Sequence, residues 1–165
     1  KGHSARVTRV ALDIGKRMGL DKKTLKNLEI AGLLHDIGKI KIETYGVILD
    51  KTGRLTGEEL KIIRQHPVKG AEMLSTIKQF KSIIPAVKYH HEFYNGAGCP
   101  DGLMGESIPL MARILAVADT VDAIGANRPY RKARGREEII AELKKCCGIQ
   151  FDPNVVKVFF ECMRF

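Results

Sequence analysis

Apolar residues recur along most of this chain with the period of an α-helix. From Leu25 the positions Leu28, Ala31, Leu34 and Ile37 repeat at helical spacing, and Asp21 stands where a side chain caps a helix start. Thr56 and Glu59 form a capping box just before Leu60, Ile62 and Ile63. Residues 77–87 read as loosely helical, with Pro85 suited to open a new helix that carries the residues after it. Residues 108–124 are apolar and Ala-rich, the pattern of a buried helix. Residues 137–147 are amphipathic, and Asp152-Pro153 is a helix start for residues 155–163. Only residues 39–43 alternate as a strand does, over a short span. Two segments read as loops: 41–54, and 95–107 with Gly96, Gly98, Gly102 and Gly105. With no internal repeat, low-complexity stretch or linker, one all-α domain over residues 1–165 is the economical reading.

Composition adds little to that fold but narrows the function. A chain of 165 residues with 44% hydrophobic and 28% charged residues is ordinary globular material, long enough to bury a core. It holds no apolar run long enough to cross a membrane and no visible signal peptide, so a cytoplasmic segment without membrane contact is expected. It begins at Lys1 rather than Met, as a piece of a longer protein would. Cys99, Cys146, Cys147 and Cys162 form no CxxC pair and read as free thiols in a reducing compartment. The net charge of +9 asks for an anionic partner without choosing among nucleotide, nucleic acid and lipid headgroup. Arg128, Arg131, Lys132, Arg134 and Arg136 make an acid-free basic run, by default a solvated face. Tyr130 is its one base-stacking aromatic, which makes nucleic acid a distant possibility.

The chemistry sits in the histidines: His3, His35, His66, His90 and His91. His35-Asp36 falls within an apolar helical pattern, where burying an imidazole and a carboxylate is costly unless a cation or hydrogen bonds compensate. The two could face one site from its edge, or Asp36 could bridge two ions. Lys39 follows them on the same helical face and, being protonated, would hold an anionic substrate or the attacking hydroxide rather than a metal. Asp119 is a third acid in an apolar stretch, and His90-His91 a second adjacent pair just before the Gly-rich loop. A lone histidine such as His3 is usually a hydrogen-bonded core residue. The joint pattern of His35-Asp36, His66, His90-His91 and Asp119, however, uses every other histidine in the chain. Imidazole with carboxylate suits zinc, iron or manganese. No Ser-His-Asp arrangement is visible, and no Gly-Lys-Ser/Thr ending marks a phosphate loop.

His35-Asp36 with the downstream Asp119 resembles the signature of the HD phosphohydrolase superfamily, and finer matches point to its HD-GYP branch of cyclic di-guanylate phosphodiesterases. These matches are His35-Asp36-Ile37-Gly38-Lys39, Gly53-Arg54-Leu55-Thr56 with Glu58-Glu59, His66-Pro67-Val68-Lys69-Gly70 and His90-His91-Glu92. Asn95-Gly96-Ala97-Gly98-Cys99-Pro100, Ala116-Val117-Ala118-Asp119, Arg128-Pro129-Tyr130-Arg131 and Phe151-Asp152-Pro153 complete a set that covers essentially the whole chain. The resemblance implies a compact helical bundle around a metal centre. Its metal ligands would be His3, His35, Asp36, His66, His90, His91 and Asp119, with Asp36 bridging two divalent ions, iron or manganese. Some members hold a third ion through a Glu that would precede Lys1. Lys39 matches the lysine near the bridging hydroxide, and Arg128 and Arg131 match positions that contact substrate phosphates. The implied substrate is a cyclic dinucleotide, and the implied partners are a diguanylate cyclase, sensory or receiver domain.

The chain departs from the family pattern at three places. Cys99 replaces the Tyr of Gly-Tyr-Pro, Phe93 stands for the usual Arg and Asn95 for the usual Asp. None is an implied ligand, so metal binding should survive, while activity, substrate preference and loop contacts are put in doubt. A metal-loaded sensor or adaptor and another enzyme of the superfamily, such as a nucleotidase or a diiron oxygenase, are the rival readings.

Overall fold

Helix α1 (His3–Arg17) lies at the centre of the packing, with Val7, Ala11 and Ile14 buried along one face. The structure, a computed structural model, describes residues 2–42, 46, 56–125 and 135–163. The basic run from Arg128 to Arg134, with both implied phosphate-binding arginines, lies outside the described residues, as do residues 53–55. After α1 come α2 (Lys22–Leu34), a 3-10 turn (Ile37–Lys41), α3 (Gly57–Ile63), α4 (His66–Ser75) and α5 (Ile84–Tyr89). Then follow α6 (Leu110–Gly125), α7 (Arg136–Cys146) and α8 (Pro153–Cys162). Among the described residues there is no sheet, only two isolated bridges, and the all-α expectation holds.

The helix starts follow from local chemistry. Asp21 Oδ1 accepts hydrogen bonds from the amides of Lys23 at 2.8 Å and Thr24 at 3.0 Å, satisfying donors that have no intrahelical partner. At α3 the capping box is closed both ways, from Glu59 N to Thr56 Oγ1 (3.2 Å) and from Thr56 N to Glu59 Oε2 (2.6 Å). Asp152 caps α8 through Asn154 N at 2.7 Å, while its other oxygen takes Arg113 Nη1 at 2.5 Å. Arg113 also donates to the Ile108 carbonyl at 2.9 Å, so one buried ion pair ties the start of α8 to the start of α6.

Two expectations are corrected. Residues 39–41 belong to the 3-10 turn rather than a strand: Ile42 is buried but Ile40 is 73% exposed, so the alternation is not that of a sheet face. Secondly, His35 and Asp36 do not sit inside a helix. The α2 helix stops at Leu34, His35 is its C-cap, and Asp36 leads the chain into the 3-10 turn. The sequence reading also passed over α1, whose apolar positions are interleaved with Arg6, Arg9, Lys16 and Arg17.

The core is formed by α1, Leu28 and Ala31 of α2, Ala86 and Val87 of α5, and Ile114, Leu115, Val117 and Ala118 of α6. Leu143, Phe151, Val155 and Phe159 close its far side. α1 packs against α2, α6 and α8, whereas α4 packs against the 3-10 turn and α5. That second contact is unusually close at Gly38, where a Cβ would stand 2.0 Å from the His66 carbonyl oxygen and 2.5 Å from Gly70 N. No side chain fits there, because the obstacle is backbone on both sides.

Gly38→Ala is therefore expected to destabilise the fold by about 3 kcal/mol or more, the range of the most disruptive single substitutions. Urea unfolding monitored by circular dichroism checks this; a loss under about 1 kcal/mol would mean that the turn and α4 part easily.

Candidate metal centre

Three helix ends deliver imidazoles to one point. His35 follows α2, His66 opens α4 immediately after α3, and His90 follows α5. In each case Nδ1 meets the backbone carbonyl three residues earlier: Gly32 at 2.8 Å, Ile63 at 2.7 Å and Val87 at 2.7 Å. A carbonyl only accepts, so each Nδ1 carries the proton and each Nε2 offers a lone pair to the interior. His3 is held the same way by a carboxylate, its Nδ1 lying 2.7 Å from Asp122 Oδ2. Asp122 is in turn gripped by Arg6, with Nε–Oδ1 at 2.5 Å and Nη2–Oδ2 at 3.1 Å.

All seven expected residues converge. Their ligand atoms form three overlapping groups: His66, His90 and His91; His3, His35 and Asp119; and His35, Asp36 and His90. Within each group the atoms lie within 4.8 Å of one another. Asp36 sits between the groups, with Oδ1 3.2 Å from His66 Nε2, and Oδ2 3.5 Å from His35 Nε2 and 3.6 Å from His3 Nε2. His3 Nε2 is 3.2 Å from Asp119 Oδ1, and His66 Nε2 is 3.3 Å from His90 Nε2. Lys39 Nζ meets Asp36 Oδ2 at 2.5 Å, as sharing one side of the turn requires.

This donor set fits divalent metal. His35 Nε2 is buried without a hydrogen-bond partner, and the Nε2 atoms of His66 and His90 point lone pair to lone pair. A shared cation relieves both conditions. Ligand atoms about 2.0–2.2 Å from one ion stand roughly 3–3.5 Å apart, close to the spacings here. The carbonyl and carboxylate partners on Nδ1 are the outer contacts that orient metal-binding histidines.

Electrostatics keeps His90 and His91 neutral and Asp36 and Asp119 charged. Burial pushes the His90 imidazole well below its ordinary value, with the neighbouring histidines adding to it. His91 is lowered to about 4, again chiefly by burial. Burial alone would raise the Asp36 carboxyl, but the adjoining imidazoles of His66 and His35 and the Lys39 ammonium outweigh it and hold the group well below the carboxylate range. For Asp119, burial is likewise outweighed by His3 and His35. His3 moves the other way: its hydrogen bond to Asp119 raises it.

Some functional side chains escaped the sequence reading. Asp122 lies three residues after Asp119 on a helix that is otherwise almost wholly apolar, and two acids at that spacing share a face. That signal was there to be read; Arg6, three residues after His3, follows the same logic. Glu92 is also buried, and its Oε1 accepts from the amides of Asp101 (2.7 Å) and Gly102 (3.0 Å), anchoring the Gly-rich loop beside the centre.

A helical bundle whose core collects five imidazoles and two carboxylates defines a metal-binding class of domain. The HD domain family model matches residues 1–155, and the chain belongs to that family. It is 40% identical over 153 residues to the cyclic di-GMP phosphodiesterase response regulator RpfG of Xanthomonas campestris, covering 92% of this chain and 40% of that protein. It is 37% identical over 162 residues to a cyclic di-GMP phosphodiesterase of Pseudomonas aeruginosa, covering 98% of this chain and 38% of that protein. A 3'3'-cGAMP-specific phosphodiesterase of Vibrio cholerae is 34% identical, over 93% of this chain and 33% of its own length. The chain thus spans about two fifths or less of these curated relatives. Among solved structures, an HDG"Y"P protein from Bdellovibrio bacteriovorus shares the fold with a TM-score of 0.78 at 20% identity, over 99% of this chain and 52% of that one. The HD domain of the Listeria monocytogenes phosphodiesterase PgpH, in complex with cyclic-di-AMP, matches with a TM-score of 0.67 at 19% identity, over 98% and 86%. The family resemblance read from the motifs is borne out.

The buried neutral imidazoles set a pH dependence for the metal-free protein. In the unfolded chain a histidine titrates near 6.5, whereas folded His91 titrates at about 4, so between these values the unfolded state binds more protons. Stability of the metal-free form is expected to fall as pH drops from about 6.5 towards 4, by about 3 kcal/mol from His91 alone. Raised His3 works in the opposite sense, so His91→Gln should flatten this acid limb. Urea midpoints at pH 7, 5.5 and 4.5 read it directly; a curve that His91→Gln leaves unaltered would contradict the assignment.

Proposed function

We propose that this chain is the catalytic domain of a metal-dependent phosphodiesterase that hydrolyses a cyclic dinucleotide, cyclic di-GMP to pGpG or GMP, in bacterial second-messenger signalling. The carrying observation is that one carboxylate, Asp36, turns its two oxygens toward different histidines of a seven-ligand cluster. The names of the relatives support the substrate class, and their printed range, from cyclic di-GMP to 3'3'-cGAMP, defines the substrates to test.

In this reading His3, His35, Asp36, His66, His90, His91 and Asp119 would hold two divalent ions, iron or manganese. Two adjacent ions supply a water of lowered pKa and positive charge for the phosphoryl oxygens. The protein's own part is positional. Nδ1 contacts fix four imidazole rings, Asp122 and Arg6 fix His3, and Lys39 adds a cation beside Asp36 at the edge of the cluster. A Lys at that edge neutralises a phosphate through charge-assisted hydrogen bonds. Arg128 and Arg131 are assigned to the same task, on the resemblance alone. A cytoplasmic location and an attached receiver or cyclase domain belong to this reading. Among the described residues no helix is long and apolar enough to cross a membrane, and one relative is named a response regulator.

Protein purified without oxygen should contain about two ions per chain and turn over cyclic di-GMP. Asp36→Ala should lose metal and activity by more than the roughly 100-fold that removal of an outer contact costs. Asp122→Asn, which weakens the hold on His3, should lower metal affinity about 10–100-fold. Elemental analysis and an assay for linear product decide the matter. Absence of stoichiometric metal in the wild type would sink the proposal, and metal without turnover on any cyclic dinucleotide would favour the sensor reading.

A further inference from the structure

Beside the metal centre lies a cavity of about 290 Å³ whose lining includes His66 and His91. Phe93, Cys99, Arg64 and Gln150 also line it. The volume is at the small end of the roughly 300–1,000 Å³ typical of ligand pockets, too small for a whole cyclic dinucleotide and suited to one base. Its walls are braced by backbone hydrogen bonds rather than by side-chain chance. Cys99 N donates to the His91 carbonyl at 3.1 Å, and Tyr94 N, next to Phe93, donates to the Gln150 carbonyl at 3.1 Å. The Gly98 backbone lies so close to Phe93 that a Cβ would stand 2.1 Å from Phe93 N. Two of the three departures from the family pattern, Phe93 and Cys99, therefore line one preformed space.

The chemistry of the lining selects its occupant. Phe93 offers an aromatic ring, and a nucleobase stacks on such a face. The Arg64 side chain makes no hydrogen bond or ion pair with any described residue, its backbone amide alone being taken up by the Leu60 carbonyl at 2.9 Å, so the guanidinium donors are available. Paired guanidinium donors match the O6 and N7 acceptors of guanine, whereas adenine presents an amino donor at that edge. Because the cavity shares His66 and His91 with the cluster, a base lodged there would lie next to the residues that would hold the metals.

We infer that this cavity holds one guanine base of the cyclic dinucleotide, stacked on Phe93 with its O6/N7 edge toward Arg64, which makes Phe93 and Arg64 specificity-determining residues. This rests on the phosphodiesterase reading and adds the base and its contacts.

The test measures equilibrium binding of GMP and AMP to the metal-loaded protein by calorimetry, alongside kcat and KM for cyclic di-GMP. Phe93→Leu is expected to weaken GMP binding and raise the cyclic di-GMP KM by about tenfold. Its kcat and metal content should move far less. Phe93→Tyr keeps the ring and should bind like the wild type, which separates stacking from misfolding. Arg64→Gln should cut the preference for GMP over AMP by about fivefold or more. If the wild type hydrolyses cyclic di-GMP but Phe93→Leu and Arg64→Gln bind and turn over as it does, the base lies elsewhere and only this inference falls. If GMP binds with the stated dependence on Phe93 and Arg64 but no cyclic dinucleotide is cleaved, the pocket stands and the phosphodiesterase reading falls. A wild type that binds neither purine nucleotide overturns the pocket outright.

Discussion

The structure depends on one recurrent contact: an imidazole whose Nδ1 satisfies the carbonyl three residues before it while Nε2 points into the centre. The last carbonyls of a helix have no intrahelical donor and must find one or be solvated. Gly32, Ile63 and Val87 supply such carbonyls at the ends of α2, α3 and α5, and His35, His66 and His90 satisfy them. Each ring thus completes a helix and offers a lone pair in the same conformation. Three helix ends meet at one point because that is where their terminal histidines are useful together.

This arrangement carries a cost that shapes everything around it. His35, His66 and His90 are almost wholly buried, and Asp36 and Asp119 stand against them. Buried polar groups without partners are expensive, and His35 Nε2 has none among the described residues. The surrounding packing therefore has to be tight enough to hold the rings in place. Gly38 against the backbone of His66 and Gly70 lets the turn that carries Asp36 and Lys39 lie directly on α4. On the opposite side, Asp122 is held by Arg6, and through it α1 and α6 fix His3. The fold and the centre are accordingly one construction, since the contacts that close the bundle also aim the ligands.

Much of this was legible in the chain. Asp21, the Thr56/Glu59 box and Asp152-Pro153 marked helix starts because capping is local chemistry, written within four residues. Six of the seven convergent residues, His35, Asp36, His66, His90, His91 and Asp119, were legible as a joint pattern of His and Asp, whereas His3 was implied only by the family resemblance. What failed was what depends on distant partners. The strand at 39–43 failed because alternation cannot show that the turn packs on α4, leaving Ile40 in solvent. The helical placement of His35-Asp36 failed because periodicity continues to Ile37 although the backbone turns at Asp36. α1 was missed although Val7, Ala11 and Ile14 keep helical spacing, since basic residues dilute the apolar stripe. Asp122 was missed although its spacing from Asp119 was visible in the sequence, and what it does depends on His3 and Arg6, more than a hundred residues away.

The departures from the family pattern acquire a physical meaning only in three dimensions. Along the sequence, Phe93, Asn95 and Cys99 look like erosion of a loop motif. In space, Phe93 and Cys99 line the cavity that touches the metal centre, whereas Asn95 lies on the loop's own turn, its side chain accepting from Ala97 N at 3.0 Å and its backbone bridging to Met104. Glu92, which keeps its place between the paired histidines and the loop, still holds the amides of Asp101 and Gly102. The loop is thus anchored by a residue that follows the motif and lined by residues that do not. In the proposed reading, changes confined to the cavity lining, with the His/Asp cluster and the anchor intact, bear on what is recognised rather than on whether metal is held. On that same reading the loop substitutions belong with the proposed base pocket rather than with the His/Asp cluster.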